Sequence, residues 1–190
     1  LIIEKLEPGE LALDLYAPVV SDSRELRFKV MRVGPAMPLT KILPILERLG
    51  VEVLDEHPYE IRRKDRASAW ILDFGLVLPK GEIYGADTLF ARFESAFEAA
   101  WRGQIASDSF NSLVTQAGLT WQDAQLIRAY ARYMRQIGST FGQGYIEMVI
   151  LENAEISRLL IEFFRVRFDP VFAGDRESES HTAREQFDAS

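Results

Sequence analysis

Trp70, Leu72, Phe74, Leu76 and Leu78 occupy every second position of one short run. A strand sends alternate side chains to opposite faces, so large apolar groups at this spacing line one sheet face that must be covered. Just before them, Val51, Val53, Tyr59 and Ile61 share odd positions in a run rich in strand-forming residues. Pro58 has no N–H for a ladder bond, which puts this strand at a sheet edge or at a bulge. Lys64-Asp65-Arg66 lies between the two runs and reads as a solvated turn. Val51 to Pro79 is therefore an antiparallel hairpin, and the rest of the chain must supply its cover.

Two helices flank the hairpin. Ile42, Leu43, Leu46 and Leu49 form one stripe, with Thr40 as N-cap, Pro44 in the first turn and Gly50 as the stop. After a loop at Gly81 to Gly85, Asp87 is placed to cap a helix carrying Phe90, Phe93, Phe97 and Trp101, which Gly103 ends. Upstream, Leu26, Phe28 and Val30 alternate as a strand that runs into the loop Gly34 to Pro38. Leu1 to Leu6, Pro8-Gly9 and Leu11 to Tyr16 read as a hairpin, and Ser21-Asp22-Ser23 as a loop. Strand, helix, strand, strand, helix predicts an α+β sandwich with an antiparallel sheet. A βαββαβ unit needs one more strand, and none is evident after Gly103; the strand at 11–17 is the candidate replacement.

From Ser107 the pattern becomes helical. Asp108 or Ser109 caps a short helix through Val114, and Thr120 with Asp123 approximates a capping box for the next. That helix has a seam of Ala124, Ile127, Ala131 and Met134, a second of Leu126, Tyr130, Tyr133 and Ile137, and a stripe of Arg128, Arg132 and Arg135. Gly138 to Gly144 breaks it, and Tyr145 to Leu151 is helical again. Asn153 caps a last helix bearing Ile156, Leu159, Leu160, Phe163 and Phe164, which Asp169-Pro170 stops. Residues 173–190 are poor in apolar groups and are expected to be disordered or a linker. The predicted units are an N-terminal hairpin and loop at 1–25, an α+β module at 26–106, a helical segment at 107–170 and a tail at 171–190.

The net charge is −7, and the acid excess is concentrated in the tail, where residues 169–190 carry 2 basic and 6 acidic groups. This balance argues against a duplex nucleic-acid binder. No apolar run approaches the ~20 residues that span a bilayer. The chain has no cysteine, which removes thiolate chemistry and suits a cytoplasmic protein. Its start at Leu1, inside a strand-like run, is expected of a piece of a longer protein.

Chemically reactive groups are sparse. His57 beside Asp55 and Glu56 reads as solvated rather than as a metal or acid–base site, and His181 falls in the tail. Gly142-Gln143-Gly144 reads as a helix break rather than a phosphate cradle, and no nucleophile elbow, phosphate-binding loop or zinc-protease pattern occurs. The lysines stop at Lys80. Arg128, Arg132 and Arg135 form an exposed face that either stays solvated or meets a phosphate or an acidic neighbouring domain. The loop Gly34, Pro35, Ala36, Met37 is the one place for a small ligand: Gly34 permits close backbone approach and the helix after it favours a carboxylate, against the plainer reading of a structural turn.

Phe110-Asn111-Ser112-Leu113-Val114, Ala117-Gly118-Leu119-Thr120-Trp121, Leu126 through Tyr133 and Arg167-Phe168-Asp169-Pro170 resemble the large bacterial NAD-specific glutamate dehydrogenases. So do His57-Pro58-Tyr59-Glu60 and Trp70-Ile71-Leu72-Asp73-Phe74-Gly75-Leu76 upstream, and the likeness covers roughly residues 26–170. The resemblance implies an ACT-like, ferredoxin-like regulatory module followed by a helical segment, both ahead of the catalytic domain. It implies a parent enzyme of amino-acid catabolism that oxidises L-glutamate to 2-oxoglutarate and ammonia with NAD. The family's dinucleotide-binding glycines and catalytic lysine have no counterpart here, so the segment is expected to be non-catalytic, without a cofactor or metal of its own. Its expected partners are other domains of the same polypeptide, further copies in a homo-oligomer and an amino-acid effector at Gly34 to Met37, with no nucleic acid or membrane. The alternative is an interdomain scaffold without ligand.

Overall fold

A computed structural model of the chain describes residues 2–18, 24–64, 67–80 and 87–189. The turns and loops expected at Ser21-Asp22-Ser23, at Asp65-Arg66 and at Gly81 to Gly85 lie outside the described residues. Strands β1 (Leu11–Tyr16), β2 (Glu25–Val33), β3 (Glu52–Ile61) and β4 (Ala69–Val77) form one antiparallel sheet in the order β1-β2-β4-β3. Helices α1 (Leu39–Arg48) and α2 (Leu89–Trp101) cover one face. Leu72, Phe74, Leu76 and Leu78 are buried there as the alternation predicts, against Phe93 and Phe97 of α2 and Ile42 and Leu46 of α1. Phe28 is the aromatic centre, with ring centroids 5.3 Å from Phe93 and 5.0 Å from Phe97, both edge-to-face. Such pairs add about 0.5–1.5 kcal/mol each beyond their burial. The architecture is the expected ACT-like α+β sheet.

The missing strand is β1. It pairs antiparallel with β2 from Leu11 opposite Arg32 to Tyr16 opposite Arg27, the place that the last strand of a βαββαβ unit would take. The Leu15 N–H on its free edge donates to Glu94 Oε1 of α2 at 2.8 Å, which pins the strand to the helix layer. The hairpin expected before Leu11 is not formed. Ile2–Glu4 is a single 3-10 turn, and Ile3 and Leu6 pack on the opposite sheet face over Met31, Val33 and Ala69.

Pro58 lies in the edge strand β3, and β3 also carries a bulge. Val53 sits opposite Leu76 and Asp55 opposite Gly75, so Leu54 is one residue too many for the ladder. One inserted residue flips every later side chain. Val53 therefore packs with the helices, while Tyr59 and Ile61 point to the other face, and the odd positions of the sequence do not share one face. The flip also sends Asp55 to Arg27, whose Nη1 donates to it at 2.7 Å while Nε donates to Asp73 at 3.0 Å. The guanidinium crosses above Gly75, where a Cβ would stand 2.9 Å from Nη1.

Several helix ends differ from the sequence reading. α1 starts at Leu39 with Pro38 as N-cap, so Thr40 is inside the first turn and Pro44 is interior. Pro44 is exposed, and it removes the bond that an N–H there would make to the Thr40 carbonyl. α2 is preceded by Thr88 rather than Asp87, without a side-chain cap, and its buried stripe is Leu89, Phe93, Ala96, Phe97 and Ala100, leaving Phe90 at the surface.

A 3-10 turn at Ser109–Ser112 leads into α3 (Leu113–Gln116), α4 (Trp121–Gln136), α5 (Gln143–Glu152) and α6 (Ala154–Phe168). Asp108 caps the turn, and Thr120 and Asp123 form the reciprocal capping box of α4. Asn153 makes no cap bond to α6; its amide donates to the Val149 carbonyl and closes α5 instead. The segment expected to lack structure contains α7 (Arg176–Ala189). Its first residue donates to the Val166 and Arg167 carbonyls at 3.0 and 3.2 Å and to that of Asp169. A guanidinium on the carbonyl end of α6 is favoured by the helix dipole.

Gly50 has φ of +80°, and a Cβ there would lie 2.9 Å from Ser112 Cβ and 3.0 Å from Thr115 Oγ1. Gly50→Ala combines left-handed strain with a clash and should cost about 2 kcal/mol or more. Gly103→Ala, at φ of +71° with open space around it, should cost about half that. Urea melts of both variants test the difference. Burial raises the Glu94 carboxyl pKa above its ordinary 4.5, Asp14 adds to the effect, and the bond from Leu15 opposes it. The fold therefore binds the proton more tightly than the unfolded chain does, and this contribution to stability is lost as pH rises through the raised value. Glu94→Gln, which keeps an acceptor for Leu15, should flatten that part of the curve of urea midpoint against pH.

Candidate functional site

The sheet module and the helical segment meet through residues 105–117. Val114 of α3 is buried in the core of the sheet module, while Phe110, Leu113 and Ala117 are buried in the second core, with Leu119, Ala124, Ile127 and Ile161. Polar bonds reinforce this shared element. The buried Thr115 hydroxyl lies 2.7 Å from the Leu49 carbonyl, and Arg48 Nη1 donates to the Ser107 carbonyl at 3.0 Å. On the other side the Ser109 hydroxyl donates to Glu147 of α5 at 2.5 Å.

Arg128 lies at the centre of this joint. It is 4% exposed, and its fork meets Asp108 twice, through Nε and Nη2, each at 2.7 Å. Nη2 also donates to Asn111 Oδ1 at 2.7 Å, and the Asn111 amide donates to the Ala106 carbonyl at 3.0 Å. A buried guanidinium is tolerated only where its donors find acceptors, and two parallel bonds to one carboxylate fix its orientation as well as its charge. The expectation of one exposed arginine face is therefore corrected: Arg132 and Arg135 are exposed, but Arg128 is an internal clamp. Residues 124, 127, 128 and 131 follow the i, i+3, i+4, i+7 rule for one buried face, so the signal was present in the spacing.

The loop Gly34 to Met37 follows β2. Gly34 takes φ of +124°, and its N–H donates to the Ser68 carbonyl at 2.9 Å. Pro35 and Ala36 are exposed, while Met37 is buried in the sheet core. A pocket of about 390 Å³ opens beside Val33, immediately before the loop, and Glu4, Glu7 and Arg63 contribute to its wall. His57 is well exposed and 3.5 Å from Asp55, and no group of residues able to hold a metal occurs among the described residues. His181 pairs with Glu185 on the surface of α7 at 3.4 Å. Gly142 is the N-cap of α5, so Gly142-Gln143-Gly144 forms a helix start. Among the described residues, no helix is long and apolar enough to cross a membrane.

The class that this fold defines is an ACT-type module continuous with a helical segment. Residues 10–89 match the family model described as glutamate dehydrogenase, ACT3 domain, and residues 105–170 match glutamate dehydrogenase, helical motif 3. The chain is 37% identical over 164 residues to the NAD-specific glutamate dehydrogenase of Halomonas elongata, 35% over 162 residues to that of Pseudomonas aeruginosa and 38% over 156 residues to that of Mycobacterium tuberculosis. These alignments cover 86%, 85% and 79% of this chain. The chain belongs to the family of large NAD-specific glutamate dehydrogenases. It spans 10% of the length of each of these relatives.

Removing the Arg128 clamp leaves Asp108 and Asn111 without their partner. Arg128→Ala should cost roughly 3 kcal/mol or more, the range for breaking a buried pair. Arg132→Ala and Arg135→Ala should each stay within about 0.5 kcal/mol of the parent. Chemical denaturation of the three variants tests the assignment.

Proposed function

We propose that this chain is the regulatory and assembly segment of a cytoplasmic NAD-dependent glutamate dehydrogenase. The intact enzyme would convert L-glutamate, NAD and water to 2-oxoglutarate, ammonia, NADH and a proton, with this segment contributing no catalytic group. The carrying observation is the joint at residues 105–117, whose apolar side chains belong to both cores. A change in the sheet module is thereby coupled mechanically to the helices. The ACT-like module would sense an amino acid at the Gly34 to Met37 loop. Support comes from the pocket beside Val33, where Glu4 and Glu7 suit an ammonium group and Arg63 a carboxylate. The open edge of β3, with Leu54 and Tyr59 exposed, suits strand pairing with another module or another copy in a homo-oligomer.

A second reading, an interdomain scaffold without ligand, is favoured by the apolar surface of the helical segment. Tyr133, Ile137, Phe141 and Tyr145 are all more than half exposed. A patch of this kind marks a contact surface, here for other domains of the same polypeptide, with Arg132 and Arg135 beside it and Arg128 holding their helix in place.

Calorimetric titration of the chain with a panel of amino acids, with NAD as the negative control, separates the readings. Saturable binding of one or two amino acids, lost in Gly34→Val, is the expected result for a sensor. Silence across the panel from the folded chain would leave the scaffold, and binding of NAD would refute the non-catalytic assignment.

A further inference from the structure

A second pocket, of about 370 Å³, opens where α2, the Ala117–Thr120 turn, the start of α4 and α6 meet. Its wall carries Arg92 from the sheet module and Arg158 and Arg165 from the helical segment, against the carboxylates of Asp123 and Glu162. Both carboxylates are already engaged. Asp123 accepts the Thr120 N–H and hydroxyl as well as Arg165 Nη2 at 2.6 Å, and Glu162 accepts Arg158 Nη1 at 2.6 Å. These bonds hold the α6 guanidiniums beside the pocket, and the lining retains one positive charge in excess. Arg92 approaches from the other unit, its Nη1 donating to the Thr88 hydroxyl at 2.5 Å. Burial lowers its pKa, with Asp87 opposing.

We propose that this pocket binds a small anion carrying a carboxylate or phosphate group, held between Arg92 on α2 and Arg158 and Arg165 on α6. Guanidinium forks match the oxygens of both groups, and a pocket of this size suits a metabolite rather than a macromolecule. The site is separate from the Gly34 loop and does not depend on amino-acid sensing there. An occupant would bridge the two units across their joint.

The test is titration of the full chain with sodium phosphate and with sodium succinate, each against sodium chloride at matched ionic strength, followed by backbone amide NMR. The expected result is saturable one-to-one binding by phosphate, succinate or both, with the largest shifts at Gly118, Leu119 and Thr120; which of them binds identifies the chemical source. In Arg92→Gln the affinity should fall at least ~10-fold, the loss expected for one charge-assisted hydrogen bond. Arg102→Gln, which removes only an exposed i,i+4 pair with Glu98, should leave it unchanged. Failure of both anions to saturate, shifts matched by chloride, or shifts centred elsewhere would overturn the proposal, as would unchanged affinity in a folded Arg92→Gln. The NMR map needs only the parent chain, so the test stands even where a variant fails to fold.

Discussion

A guanidinium can be withdrawn from water only where the surrounding groups are already arranged to receive it, and the helical segment is built around one that has been. Asp108 and Asn111 precede the two-faced helix α3, and Arg128 is two turns into α4. Their bonds form only when the turn and the helix take one relative orientation. A buried ion pair of this kind adds little net stability over an apolar substitute. Its effect is to penalise other arrangements, since any slip of α4 strands charge in a dry interior. The apolar contacts of Phe110, Ala124, Ile127 and Ile161 supply the cohesion, and the ion pair selects the geometry.

The sheet shows a related economy. One surplus residue, Leu54, lets β3 serve both faces: its start fills the helix side through Val53 and its end closes the other side through Ile61. The helix-free face is divided accordingly. Ile3 and Leu6 cover its apolar half, while Arg27, Asp55 and Asp73 occupy the other.

The organising hairpin, the α1 stripe, the Phe93 and Phe97 face of α2, the capping box of α4 and the helix break before α5 follow from spacing and turn chemistry, and the sequence conveys them. What it conceals falls into two kinds. The bulge at Leu54 and the helix start at Leu39 depend on tertiary packing, which overrides a local period or cap preference by small margins. The helix at 176–189 rests on the docking of Arg176 onto α6, a contact that no composition argument registers. Arg128 differs again, because its position in the apolar repeat was visible while its charge argued for the surface. Burial follows the period when partners are supplied, and those partners lie 17 and 20 residues upstream. The loop Gly34 to Met37 was legible as a glycine loop before a helix, whereas the pocket beside Val33 is assembled from residues remote in sequence.

Taking the closing strand from before the first central strand, rather than from after α2, changes the order in which the chain becomes complete. Synthesis runs from the N-terminus, and β1 is made before the strand it pairs with. By the time α2 has emerged, every strand of the sheet exists, and its core awaits only side chains from the joint, Ile105 and Val114 among them. The end of α2 is then free to run directly into the joint at 105–117, where a conventional unit would have to turn back. The helical segment is thus added to a sheet complete in its strands, and its two-faced helix α3 closes that core through Val114.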